Sequence, residues 1–163
     1  MTDITPVRRY VQPLTIFVDQ DGPLADFERA AREAGLEPKD AKMLPGFYRS
    51  LHPTPGALDA LAELHRLPGV QDFVATKIAD RNPMAAAEKI QWLHELAPYL
   101  DERIIITPNK ACIGKIGDIL IDDRAHKADA AYFPGLFIHF GNKTWPSWDE
   151  VMTTVREHCR ANG

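Results

Sequence analysis

Five short apolar runs punctuate the chain, at residues 14–18, 70–75, 103–106, 118–121 and 136–140. They are rich in Ile, Val, Leu and Phe and mostly lack strict polar alternation, which predicts strands covered on both faces, as parallel strands are. Helical spacing separates them. Pro55-Gly56 opens a segment at 57–67 in which Leu58, Leu61, Leu64 and His65 recur every three or four positions. Asn82-Pro83 predicts an N-cap with proline at the first helical position, and a helix to Leu96 with Ala86, Ile90, Leu93 and Ala97 as its buried stripe. Two more helices are predicted at 125–132 and 147–158, the last with Ser147 as N-cap and Glu150 three residues on. The alternation of the two periods predicts an α/β fold: a Rossmann-like parallel five-stranded sheet with helices on both faces. Strand order does not follow from the pattern.

One stretch breaks the alternation. Residues 26–54 read as a short helix at 27–34, then an irregular segment with Gly35, Pro38, Pro45, Gly46 and Pro53. That is too long for an ordinary loop, and its Phe47-Tyr48 pair predicts an ordered lid: a small cap insertion after the first strand of a single domain spanning 1–163.

Composition narrows the class. At 163 residues, 45% hydrophobic and 26% charged, the chain is of ordinary globular make-up and long enough to bury a core without disulfides. Its net charge of −4 speaks against long nucleic acid or an anionic membrane as partner. Cys112 and Cys159 fit a reducing cytoplasm. No apolar run reaches membrane-spanning length, and residues 1–12 contain no apolar signal stretch.

Several strand ends carry chemistry. Asp19-Gln20-Asp21-Gly22 follows the first run, and Asp122-Asp123 follows the fourth. In a parallel sheet all carboxyl ends lie on one edge, so these acids converge despite about 100 residues between them. Two like charges about 4 Å apart repel by roughly 4 kcal/mol at an intermediate dielectric. A cation between them or a proton on one is required, and oxygen ligands favour Mg2+. Thr76 from the second strand and Lys110 after the third join the same edge. A carboxylate to attack phosphorus, with a metal, an ammonium and a hydroxyl for the phosphoryl oxygens, makes a phosphoryl-transfer site. Taken singly, Asp19 and Asp21 also suit a turn cap, Asp122-Asp123 a helix N-cap, Thr76 a structural strand end and Lys110 a solvated loop. The ordered set is the signal.

At these residues the chain resembles the haloacid dehalogenase superfamily, whose four motifs would be Asp19-x-Asp21, Thr76, Lys110 and Asp122-Asp123. Within it, Asp19 to Phe27, Pro55-Gly56-Ala57, Glu88 to Trp92 and Leu120 to Arg124 resemble the 5′(3′)-deoxyribonucleotidases. The resemblance implies Asp19 as nucleophile and Asp21 as acid, then base. It implies Mg2+ on Asp19, the backbone carbonyl of Asp21 and Asp123, with Asp122 orienting Lys110 beside the metal. Thr76 and Lys110 would grip the phosphate, with Lys89 and Arg124 near it, and Phe27 would pack on the nucleoside. The chain departs from the family at Lys77, where a small polar residue is usual and an added phosphate contact is expected, and at Pro23. Its lid is shorter than the animal enzymes' cap, which leaves Phe47 and Tyr48 as candidate substrate contacts and an open edge that a second copy of the chain would complete. The implied substrate is a small phosphate ester, a nucleoside monophosphate. A sugar phosphate, a polynucleotide end and a receiver-type phosphorylatable domain are the alternatives. The receiver order puts its phosphoacceptor on the third strand, which here ends Ile106-Thr107 with no aspartate.

Overall fold

The computed structural model describes residues 13–79 and 81–162; residues 1–12, read above for a signal stretch, lie outside them. Strands β1 (Leu14–Val18), β2 (Val70–Thr76), β3 (Ile104–Ile106), β4 (Ile119–Asp122) and β5 (Leu136–His139) form one sheet in the order β3-β2-β1-β4-β5. Every adjacent pair is parallel. The chain winds outward from β1 through β2 to β3, then returns to lay β4 and β5 on the other side. Between β1 and β4 the winding reverses, and there the strand ends splay into a crevice.

Alternation along the strands divides the core. Ile16, Val18, Val74, Ile119, Ile121 and Ile138 face one side and pack with helices α3 (Ala57–Arg66), α4 (Ala85–Leu96) and α5 (Trp148–Asn162). Phe17, Ala75 and Leu120 face the other side with Phe133, and Phe17 stacks on Phe73 at 6.0 Å. Among the described residues that second face has no full helix over it. The helix expected at 125–132 is a single 3-10 turn, Ala130–Tyr132, because Ala128 and Asp129 take left-handed backbone angles (φ 49° and 54°) that no α-helix accommodates. The Ala128 carbonyl accepts instead the amide of Lys110 at 2.6 Å, tying two strand-end loops together.

Helix α4 departs from the expected stripe. It starts at Ala85, because Asn82 caps a preceding turn, its Oδ1 accepting the Met84 amide. Its buried residues are Ala85, Glu88, Lys89, Trp92 and Leu93, whereas Ala86 and Ile90 are half-buried. The buried face therefore includes two charged residues, and each is fully engaged by groups from elsewhere in the chain. At the start of α5 the expected cap forms: Glu150 Oε2 accepts the Ser147 amide at 3.2 Å and Ser147 Oγ accepts the Asp149 amide at 3.3 Å.

Between β1 and α3 the 26–54 segment is ordered around α1 (Phe27–Glu33), α2 (Pro38–Ala41) and a 3-10 turn, Tyr48–Ser50. Asp26 caps α1 by accepting the Arg29 amide. Polar pegs from or near α4 hold the segment. Glu88 accepts the amides of Gly46 and Tyr48, Asn82 Nδ2 donates to the Lys42 carbonyl, and Trp92 Nε1 donates to the Leu51 carbonyl. From α5, the Trp148 indole donates to the Pro23 carbonyl at 2.8 Å, fastening the loop after β1. No helix among the described residues is long and apolar enough to cross a membrane.

Candidate active site

β1 and β4 are adjacent, so their carboxyl ends deliver Asp19 and Asp122-Asp123 to the same crevice. The Asp19 amide still donates to the Ile121 carbonyl at 2.8 Å, carrying the strand pairing to Asp19 itself. Lys110 reaches in from the loop after β3. Its Nζ lies 2.6 Å from both Asp19 Oδ1 and Asp122 Oδ2. Burial works against the Lys110 charge, but Asp19 and Asp122 more than offset it and raise its pKa.

The remaining carboxylate oxygens have an excess of negative charge. Asp19, Asp122 and Asp123 each offer an oxygen within 4.8 Å of the others. Asp122 is fully used, by Lys110 and by the Arg124 amide on its Oδ1. Asp123 is not: its Oδ1 is buried with no hydrogen-bond partner. Burial, with Asp19 next, pushes Asp122 up to about 6 and Asp123 up to about 7. Gly22 faces this carboxylate in a left-handed conformation (φ 97°), and a Cβ there would overlap Asp123. An orphaned buried carboxylate oxygen, three convergent acids and a glycine that clears space beside them fit a hard divalent cation.

Asp21 turns the other way. Its Oδ2 lies 2.8 Å from Lys89 Nζ, which also donates to Thr76 Oγ1 (2.9 Å) and the Lys77 carbonyl (2.8 Å). The ammonium sits 4.8 Å from the Tyr48 ring centre. The Gln20 side-chain amide donates to the Lys89 carbonyl, fixing α4 to the β1 loop. Burial raises the Asp21 pKa, Lys89 opposes it and Asp19 adds to it. A carboxyl held toward protonation beside a carboxylate is the arrangement acid catalysis needs.

These groups open into a cavity of about 380 Å3 lined in part by Asp19, Asp21, Tyr48, Lys77, Lys110 and Arg124. Thr76 lies beneath it, 1% exposed, under Lys89. Phe27 and Phe47, expected near substrate, are off the cavity wall. Phe27 is 1% exposed, edge-on to Phe47 at 5.3 Å and 5.7 Å from Tyr48. The 26–54 insertion folds back over Phe27, so that ring supports Tyr48 instead of facing outward. Arg124 pairs with Glu28 at 2.6 Å and lies 3.7 Å from Asp123. Sequence reasoning missed Glu88 and Gln20 as supports, and Lys39, Lys42, Arg81 and Lys127 on the cavity wall. Lys39, Lys42, Arg81 and Lys127 follow no strand directly, whereas Gln20 and Glu88 lie inside stretches already singled out but bond to backbone far away in the chain.

Residues 41–155 match the family described as 5′ nucleotidase, deoxy (pyrimidine), cytosolic type C protein. The chain is 32% identical to the human cytosolic-type 5′(3′)-deoxyribonucleotidase, over 85% of this chain and 79% of that protein. It is 33% identical to a Bordetella bronchiseptica protein provisionally named 5′(3′)-deoxyribonucleotidase, over 68% of this chain and 74% of that one. Similarity to the human mitochondrial 5′(3′)-deoxyribonucleotidase is 27%, over 87% and 71%.

Proposed function

Since this chain belongs to the 5′(3′)-deoxyribonucleotidase family, we propose that it hydrolyses a deoxyribonucleoside monophosphate to nucleoside and phosphate through an aspartyl-phosphate on Asp19. The observation that carries the reading is the strand-end cluster: Asp19 and Asp122 sharing Lys110, with Asp123 left unpartnered beside them.

In the first half-reaction an Asp19 carboxylate oxygen attacks phosphorus and the ester P–O bond breaks. Asp21 gives its proton to the leaving alkoxide, a role its raised pKa supports. Lys110 holds Asp19 aligned and, with Lys89, sets positive charge against the phosphoryl oxygens. Asp122 keeps Lys110 in place. In the second half water attacks phosphorus, Asp21 accepts its proton and the bond to Asp19 breaks. Asp19, Asp123 and the backbone carbonyl of Asp21 would hold a magnesium ion, which supplies charge neutralisation for the incoming dianion. We assign Tyr48, Lys77 and Arg124 to substrate contact, and residues 26–54 to a cap that encloses the nucleoside.

The test is phosphate release from a panel of deoxynucleoside monophosphates and sugar phosphates, with and without chelator. Chelator-sensitive turnover favouring the nucleotides is the expected result. Faster turnover of a sugar phosphate would move the substrate class, and Asp19→Asn activity equal to the parent would overturn the mechanism.

A further inference from the structure

The chain is acidic overall, yet its cavity is lined by an excess of basic side chains. Lys39 and Lys42 come from and just beyond α2, Arg81 from the segment after β2, and Lys127 from the loop after β4. Among the described residues none of the four forms an ion pair. Every cation nearer the chemistry is matched: Lys110 by Asp19 and Asp122, Lys89 by Asp21, Arg124 by Glu28. The Lys42 ammonium lies 5.8 Å from the Phe27 ring centre, half-buried. Burial and then the nearby Arg124 charge depress its pKa, with Lys127 acting in the same direction and Asp21 and Glu28 against it. Like charges from separate segments thus line one cavity with too little anion to balance them.

The reacting phosphoryl group does not account for them, because Lys89 and Lys110 already face Asp19 and Asp21. Long-range steering of an anion needs no convergence on one cavity. A second multivalent anion bound at the same time does. We propose that the preferred substrate is a nucleoside bisphosphate, with one phosphate ester at Asp19 and the other phosphate held by Lys42, Lys127, Arg81 and Lys39. This rests on the phosphomonoesterase reading above. The reaction consumes one water, breaks one ester P–O bond and yields inorganic phosphate and a nucleoside monophosphate. The cavity, about 380 Å3, suits a small ligand, and the net charge of −4 disfavours a polynucleotide.

The test is calorimetric binding to the Asp19→Asn protein with magnesium, comparing thymidine 5′-monophosphate, thymidine 3′,5′-bisphosphate and a 5′-phosphorylated thymidine dinucleotide. The bisphosphate is expected to bind about tenfold more tightly than the monophosphate, as two or three partly screened charge pairs allow. With Lys42→Ala and Lys127→Ala added, that ratio is expected to fall to about twofold or less. If the triple variant misfolds, the single change Lys127→Glu on an exposed side chain gives the same readout. Equal affinities for mono- and bisphosphate, or a ratio that survives these changes, would overturn the proposal. Tighter binding of the dinucleotide overturns it in favour of a polynucleotide end. Failure of the underlying reading has a different signature, no phosphate release by the parent from any phosphomonoester, and takes this proposal with it.

Discussion

The strand-end cluster and the 26–54 insertion above it are built by different means. Backbone register places the cluster: β1 and β4 pair directly, and the bond from the Asp19 amide to Ile121 continues that pairing into the site. Side chains hold the insertion, chiefly Glu88, Asn82 and Trp92 reaching from or near α4 to its backbone. A position set by a sheet tolerates little movement, whereas one set by a few pegs moves when any peg changes. The chemistry should therefore be rigid and substrate preference adjustable, within one small molecule.

The sharpest test of that division is at the cluster. Asp19→Asn should lower turnover by about 10⁴-fold or more, as loss of a nucleophile does, measured as phosphate released with KM little changed. Next is Gly22→Ala, which drives a methyl group into Asp123 and forces a left-handed backbone on alanine. Magnesium-dependent turnover should fall by about 10²-fold as ligand geometry is lost, with magnesium affinity read by calorimetry as the check. At the insertion, Glu88→Gln leaves one of two amide donors without an acceptor, a cost of about 1–3 kcal/mol if it is the buried Tyr48 amide and less for the part-buried Gly46 one. The expected outcome is a raised KM with a smaller change in kcat. A kcat loss as deep as that of Asp19→Asn would break the comparison, because the insertion would then belong to the chemistry.

The smallest effect is on stability. With Asp122 pushed up to about 6 and Asp123 up to about 7, the folded chain holds protons that the unfolded chain has released. Their contribution is full below the ordinary carboxylate range and is lost as pH rises through those two values. In chelator, the melting temperature should decline from pH 5 to pH 8, and magnesium should reduce the decline by favouring the ionised acids. A decline of the same size with magnesium would remove the acids from metal binding.

Much of the sheet could be read from the chain because buried parallel strands are dense apolar runs, and the acids because they follow those runs. The sequence did not give up strand order, since the return from β3 across to β4 depends on packing on both sides of β1. Nor could hydropathy show that α4 buries Glu88 and Lys89. Their partners, Gly46, Tyr48 and Asp21, lie far back in the chain, and a charge is cheap to bury only where such partners meet it. Phe27 misled for the opposite reason. The family resemblance placed it against the nucleoside, but the returning insertion brings Phe47 and Tyr48 against it.

Every acid of the cluster precedes Trp148, whose indole fastens the loop after β1, by 25 residues or more. A chain made only as far as Asp123 therefore carries all four acids while the loop bearing Asp19 and Asp21 lacks its fastening. That loop is secured only once Trp148, the first residue of α5, packs against it.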